Sequence, residues 1–305
     1  MREDVARHRY DVLVVPQVEA SVIVWLATRG LGVPAFVTHL HGNPRVEERD
    51  GTRRTRASFQ LFRRVVSRRL AAVLAVSPSL AGYARRELTP RVPVEYVPNP
   101  VRSLGPAGPR PAQGEEFRFL SLARLSYQKG QDLLLRAVAE ARPDLPPFRL
   151  TLVGSGPEEA ALRRLCTELG LDDVVEFAGY ATDPTPYLLA ADCFVLPSRW
   201  EGFGMVLLEA LHVGLPLLAT DCDFGPADLV TDPRIGELVP AGDVGALAAG
   251  LRRAVRRPRD PADDDFRRRV ADRYAPEETV GRHLTVLQQV LASRPARAAG
   301  SRAAR

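Results

Sequence analysis

Short apolar runs rich in β-branched residues recur along the chain: DVLVV (11–15), PAFVTHL (34–40), AAVLAVS (71–77), VEYVPN (94–99), FRFLSLAR (117–124), RLTLVGSG (149–156), VVEFAG (174–179), DCFVLPS (192–198) and PLLATD (216–221). Their apolar residues are nearly continuous rather than alternating, which predicts strands buried on both faces. Between most of them lie stretches with helical spacing, among them QDLLLRAVAEA (131–141), PEEAALRRLCTELG (157–170) and GMVLLEALHVG (204–214). Strand and helix in strict alternation predict an α/β protein whose parallel sheets carry helices on both faces.

The alternation breaks once. PVRSLGPAGPRPAQG (100–114) is dominated by proline and glycine, which break ladders and do not pack into a sheet. It separates a first domain, residues 1–105, from a second, 115–275. Past the acidic DPADDD (260–265), the segment PEETVGRHLTVLQQVLAS (276–293) reads as a helix expected to pack back toward the first domain. The tail 294–305 has little apolar content to bury and is expected to be disordered. No repeat of solenoid period is present.

Composition narrows the class. The 305 residues are 45% hydrophobic and 26% charged, ordinary for a soluble globular chain with room for two cores. No run reaches the roughly eighteen apolar residues of a membrane span, and the amino-terminal MREDVARHRY lacks a signal peptide's apolar centre, so the expectation is a cytoplasmic protein. Cys166, Cys193 and Cys222 lie far apart without metal-ligand spacing and read as reduced core thiols. The net charge of +5 is unevenly placed: residues 53–69 carry seven arginines and no acid. No recognition fold for nucleic acid accompanies them, so the run suits an anionic lipid or acceptor, or is a solvated helix face.

Four strand ends carry candidate chemistry. LARLSYQKG (122–130) delivers Arg124 and Lys129 into a loop that opens a helix, a pairing suited to a diphosphate, although both cations also fit a plain surface loop. In LVGSGPE (152–158), Gly154 and Gly156 permit close backbone approach by a ligand, or simply make the turn. EFAGY ends on Gly179 and Tyr180, which could face a base edge. SRWEGFGMVLLEALHVGLPLLATD (198–221) places Glu201 at a helix mouth and Glu209 inside the helix, with amides of Phe203, Gly204 and Met205 near its start. Two carboxylates so placed can grip hydroxyls of two different groups.

In order and spacing these blocks resemble the donor domain of family 4 retaining glycosyltransferases, which have the GT-B fold of two Rossmann-like domains; EGFGMVLLE looks like their Glu-x7-Glu motif. The likeness runs from about residue 115 to 255 and takes in GELVPAGDVGALAAGL as well. It implies transfer of a hexosyl or N-acetylhexosaminyl unit from a nucleotide-diphosphate sugar, with UDP the commonest carrier, to a hydroxyl acceptor, without a metal. Carried over by position, Arg124 and Lys129 would bind the diphosphate, Glu201 the donor sugar and Glu209 the ribose. Gly154, Gly156, Gly179, Tyr180, Phe203, Gly204 and Met205 would complete the donor site. CDFGPADLV is similar to a subgroup's Gly-Pro-x-Glu segment, with Asp228 in place of the glutamate.

The first domain matches more loosely. VPAFVTHLHGNP resembles the acceptor-domain strand that ends in a histidine beside the donor sugar; His41 fits best, with His39 the competitor on the same strand face. His8, His212 and His283 are read as structural. A family member begins with further strands and a glycine-rich loop before the unit that here comes almost at once, so the first domain is expected to be incomplete through a misplaced start, a cut chain or a degenerate gene. The alternative function is a truncated nucleotide-sugar-binding protein without turnover. By likeness to envelope and exopolysaccharide enzymes, the arginine-rich segment would meet a membrane's inner face or a lipid-linked acceptor.

Overall fold

A computed structural model describes residues 1–8, 10–31, 35–89, 91–101, 110 and 114–293. Most of the linker 100–114 and the tail from residue 294 lie outside the described residues. The chain divides into two compact units: Met1–Val76 with Leu80–Pro98 and the residues from Thr279 on, and Asn99–Glu278 with Ser77–Ser79. Unit and linker therefore part company at Pro98: the amide of Val101 already donates to Tyr274 O (2.9 Å), within the second unit.

The first unit is built on four parallel strands in sequence order, β1 (Val12–Pro16), β2 (Ala35–Leu40), β3 (Ala72–Ala75) and β4 (Val94–Tyr96). β2 and β3 are buried at every position, as their unbroken apolar runs predict. Ala35, Val37, Ala72, Leu74 and Val97 form a core closed by Val286 and Val290 of the helix Pro276–Ala292. Those valines, with Thr279, are the helix's buried residues, one stripe along it, whereas Val280 and Leu284 are exposed.

The arginine-rich segment is a helix, Arg53–Leu61, that widens into a π-helical turn, Phe62–Val66, and ends in a 3₁₀ turn, Ser67–Arg69. Phe59, Phe62 and Val66 are fully buried on one side. Arg63 holds both oxygens of Glu48 (2.6 and 2.5 Å), and Arg56 caps the carbonyls of Glu48 and Arg49. Arg53, Arg64, Arg68 and Arg69 are exposed.

The second unit holds six parallel strands, β5 (Phe117–Leu122), β6 (Phe148–Val153), β7 (Val175–Gly179), β8 (Cys193–Leu196), β9 (Leu217–Asp221) and β10 (Gly236–Pro240), in the order β10-β9-β8-β5-β6-β7. Counted within the unit this is 6-5-4-1-2-3, the doubly wound dinucleotide-fold order. Helices Gln131–Ala141, Glu159–Glu168 and Val244–Ala254 bury Leu134, Leu135, Leu162, Leu247 and Leu251 in the sheet's main core. Two elements escaped the hydrophobic pattern. β10 has a single fully buried residue, Val239, and the helix Pro261–Asp272 carries seven charged residues in twelve, its inner face including Asp264 and Arg267.

Candidate functional site

The strand order reverses between β5 and β8: β6 and β7 extend to one side, β9 and β10 to the other. Beyond the carboxyl ends of such a pair the following loops diverge and leave a crevice. The loop after β5 carries Arg124 and Lys129; the loop after β8 carries Ser198, Arg199 and Glu201. The two loops are tied together. Arg199 N donates to Gln128 O (2.8 Å), Gln128 Nε2 donates to Trp200 O (3.0 Å), and Arg199 forks onto Asp132 (2.8 and 2.7 Å).

Gly130 is required at this junction. Its φ of +67° is left-handed, and a Cβ there would lie 2.1 Å from Pro197 O. The tight approach brings Lys129 Nζ to 2.6 Å from Glu201 Oε1, the oxygen that also accepts from Ser198 Oγ at 2.7 Å. Glu201 is 5% exposed, so an oxygen of a nearly buried carboxylate is held by one cation and one hydroxyl. Ser198, which the motif reading did not single out, is a positioning residue for it, and nothing in its own sequence context distinguishes it from other turn serines. Thr220 Oγ1 in turn holds Ser198 O (2.5 Å).

Arg124, Gly154, Gly156 and Tyr180 line one cavity of about 540 Å³ at the carboxyl ends of β5, β6 and β7. Arg124 is exposed, and Tyr180 is 75% exposed. The two glycines answer to the protein's own backbone: a Cβ on Gly154 would lie 2.0 Å from Ala123 O, and one on Gly156 2.1 Å from Leu125 O. They therefore let the β6 loop pack on the β5 loop, and line the cavity as a consequence. Gly179, at φ +73°, accepts from Gly154 N at 2.7 Å and closes the β7 side.

The helix Met205–His212 begins at Gly204, φ +83°, with no side-chain cap, so its first amides are left for another acceptor. Phe203 is buried against the Tyr274 ring, centroids 5.5 Å apart, which fixes the turn. Glu209 is half-buried one turn into this helix. Behind the site, burial first and the charge of Glu201 second push the Cys222 thiol up to about 12; burial likewise holds Cys193 at about 12. All three cysteines are buried and unpaired with one another.

In the first unit, the end of β2 carries a histidine group. His39 is buried; its ring lies 4.0 Å from that of His41 and 5.5 Å from that of His283, which the sequence left as a structural residue. Burial, then the neighbouring His41 and His283, lower His39 to about 3, and burial with His283 lowers His41, so both imidazoles are neutral at pH 7. His39 Nε2 is buried without a partner, whereas His41 is only half-buried and is the more accessible of the two. Gln17, at the end of β1, has φ +63°, the one left-handed non-glycine residue among those described, and its amide donates to His39 O (3.0 Å). No residue type in the sequence marks that strain.

Among the described residues no group of three or more metal-binding side chains occurs, and no helix is long and apolar enough to cross a membrane.

Comparison with known proteins follows the same division. A glycosyl transferase 4-like domain matches residues 1–100, and the glycosyl transferases group 1 family matches 109–273. The lipopolysaccharide core biosynthesis glycosyltransferase LpsE of Rhizobium meliloti is 35% identical over 181 residues, 58% of this chain and 50% of that protein. An exopolysaccharide phosphotransferase of Streptomyces coelicolor is 37% identical over 159 residues, 52% of this chain and 16% of that protein. The matched stretches thus span half or less of these relatives. In structure, sucrose-phosphate synthase of Thermosynechococcus elongatus aligns with a TM-score of 0.79 at 23% identity, over 96% of this chain and 76% of that one. HepE of Anabaena, solved with UDP, aligns at 0.76 and 23%, over 94% and 81%. The structural likeness shows the GT-B fold, and with the family match over more than half of its length, the chain belongs to the glycosyl transferases group 1 family.

Proposed function

We propose that the chain carries the donor site of a retaining glycosyltransferase that moves a sugar from a nucleotide-diphosphate carrier, UDP first among them, to a hydroxyl of a growing glycan, exopolysaccharide or glycolipid. The observation that carries this reading is the Lys129–Glu201 contact of 2.6 Å at the switch point of the second sheet. It sets a cation for phosphate beside a carboxylate for sugar hydroxyls, one hydrogen bond apart. Arg124, Lys129 and the uncapped amides at Gly204 and Met205 receive the diphosphate, and Glu201 orients the sugar. Glu209 accepts from the ribose, while Gly179 and Tyr180 flank the base.

In the reaction the bond from the anomeric carbon to the diphosphate oxygen breaks. The acceptor oxygen bonds to the same face of that carbon, and its proton passes to the departing diphosphate. Fixed cations and amides stabilise the charge that develops on the leaving group, so this chemistry needs no metal. The role of His41, a neutral imidazole, rests on the family resemblance alone, which would have it meet the donor sugar. Relatives named for lipopolysaccharide core and colanic acid biosynthesis, and the UDP bound in HepE, support the donor and the class of product. The exposed arginines of 53–69 would hold the protein at the inner membrane face near a lipid-linked acceptor.

The test is a thermal-shift titration of the whole chain with UDP, GDP and ADP. A nucleotide at about a hundred times its dissociation constant adds roughly 2.7 kcal/mol, a rise of several degrees. One nucleotide is expected to stabilise the parent but not the Arg124→Ala, Lys129→Ala double variant. Glu201→Gln is then expected to abolish transfer from the matching nucleotide sugar. Full transfer by that variant would refute the assignment, and nucleotide binding with no transfer by the parent would leave a binding protein without turnover.

A further inference from the structure

The second unit holds a cavity of about 240 Å³ that the donor reading does not use. Its walls include the first residues of β5, β8 and β9 (Phe117, Cys193 and Leu217) and Glu237 of β10, so it sits at the amino ends of the strands. A strand's length, roughly 13–20 Å, separates that edge from the donor loops.

Five arginines line it, Arg110, Arg253, Arg257, Arg259 and Arg267, against three carboxylates, Asp192, Glu237 and Asp264, an excess of two positive charges (five less three). The carboxylates are overcommitted. Asp264, buried, serves Arg267 at 2.7 Å, Arg259 at 3.2 Å and Arg110 at 3.4 Å, while Glu237 is taken by Arg253. Asp263, outside the lining, meets Arg257 at 3.4 Å and Arg267 at 3.8 Å, which brings the excess to one when it is counted. Arg110 is held by Ala191 O at 2.7 Å, yet its Nε–H, on a side chain only 2% exposed, has no acceptor. A buried guanidinium donor without a partner is costly, and Arg110, a residue of the cavity wall, would have to turn to offer it to a ligand oxygen. Burial is the main cause that lowers Arg110 and Arg267, the latter to about 10, with neighbouring arginines adding to it.

The rest of the wall is apolar: Phe117, Pro216, Leu217, Leu218, Ala254 and Pro258. A cavity of roughly 150 Å³ accommodates benzene, and drug-sized ligands need about 300–1,000 Å³. The space therefore fits one six-membered ring with a substituent and is too small for a nucleoside diphosphate. Guanidiniums converging from several directions suit the three terminal oxygens of a phosphate, whose charge of about −1.5 to −2 is opposite in sign to the net charge of the wall.

We propose that this arginine-lined cavity at the amino ends of the strands binds a sugar-sized phosphomonoester at a site separate from the nucleotide-sugar donor site. The test is calorimetric and thermal-shift titration of the whole chain with glucose 6-phosphate, glucose and inorganic phosphate. Glucose 6-phosphate is expected to bind saturably, glucose not at all, and inorganic phosphate about tenfold more weakly for want of the apolar wall. Arg257→Gln, at a side chain 29% exposed, and Ala254→Phe, which fills the cavity, are each expected to weaken glucose 6-phosphate by at least about tenfold while leaving the response to UDP intact. Arg124→Ala is expected to leave glucose 6-phosphate binding unchanged, which separates this site from the donor reading. No binding by the parent, equal binding of inorganic phosphate, competition by UDP, or unchanged affinity in both cavity variants would each overturn the proposal.

Discussion

Replacing Lys129 by methionine isolates the central contact. The 2.6 Å separation corresponds to an attraction of about 6 kcal/mol at an effective dielectric constant near 20, most of it cancelled by the desolvation of two groups exposed by only 20% and 6%. What remains is a charge-assisted hydrogen bond of about 1.5–3 kcal/mol, plus the penalty of leaving Glu201 with Ser198 alone. Lys129→Met is therefore expected to cost about 2–3 kcal/mol. In a unit of this size that lowers its midpoint by about 4–12 °C, read by differential scanning calorimetry. Glu201→Gln costs less, because Lys129 can turn to water. The Lys129→Met, Glu201→Gln double variant should be more stable than the sum of the two losses predicts, by about 1–2 kcal/mol. Additive losses, or a Lys129→Met protein within about 0.5 kcal/mol of the parent, would show that the two side chains do not interact and would remove the basis for placing phosphate and sugar side by side.

Three further outcomes follow from the geometry. Gly130→Ala puts a methyl group 2.1 Å from Pro197 O at a left-handed φ; it should cost at least about 2 kcal/mol in thermal unfolding and weaken nucleotide binding as the two loops part. His39, lowered to about 3, is protonated first in the unfolded chain, so its contribution to stability is complete above pH 6.5 and is lost as pH falls toward 3. Urea unfolding should show a loss of about 2–3 kcal/mol between pH 6.5 and 4.5 that His39→Gln removes. On the last helix, Val286→Ala and Val290→Ala should each cost about 1–2 kcal/mol, while the exposed Val280→Ala and Leu284→Ala stay within about 0.5 kcal/mol; equal losses at all four would contradict the observed packing face.

The nine strands read from unbroken apolar runs all form. Burial on both faces does not hold for the edge strands β1 and β7, which are only partly buried, with Val14 exposed, because an edge strand has a neighbour on one side alone. In β2, β3 and β8, buried at every position, the reason is written in consecutive residues: a strand buried on both faces must be apolar almost throughout. Gly-Phe-Gly before a helix, and the cation loop after β5, are legible for the same reason: turn and helix start are local chemistry. β10 and the helix Pro261–Asp272 were hidden because one is an edge strand only partly buried and the other buries charges in pairs, so neither leaves a hydrophobic period. Sequence likewise could not say that Ser198 and Lys129 share one oxygen of Glu201, or that Gly154 and Gly156 yield to the β5 loop rather than to a ligand alone. Nor could it gather His283 to His39, or three arginines around Asp264. Ser198 with Glu201, and Arg259 and Arg267 with Asp264, are three to five positions apart, but the other contacts join residues dozens to more than two hundred positions apart, and they exist only once the strand order 6-5-4-1-2-3 and the packing of the last helix have set which loops and side chains are neighbours.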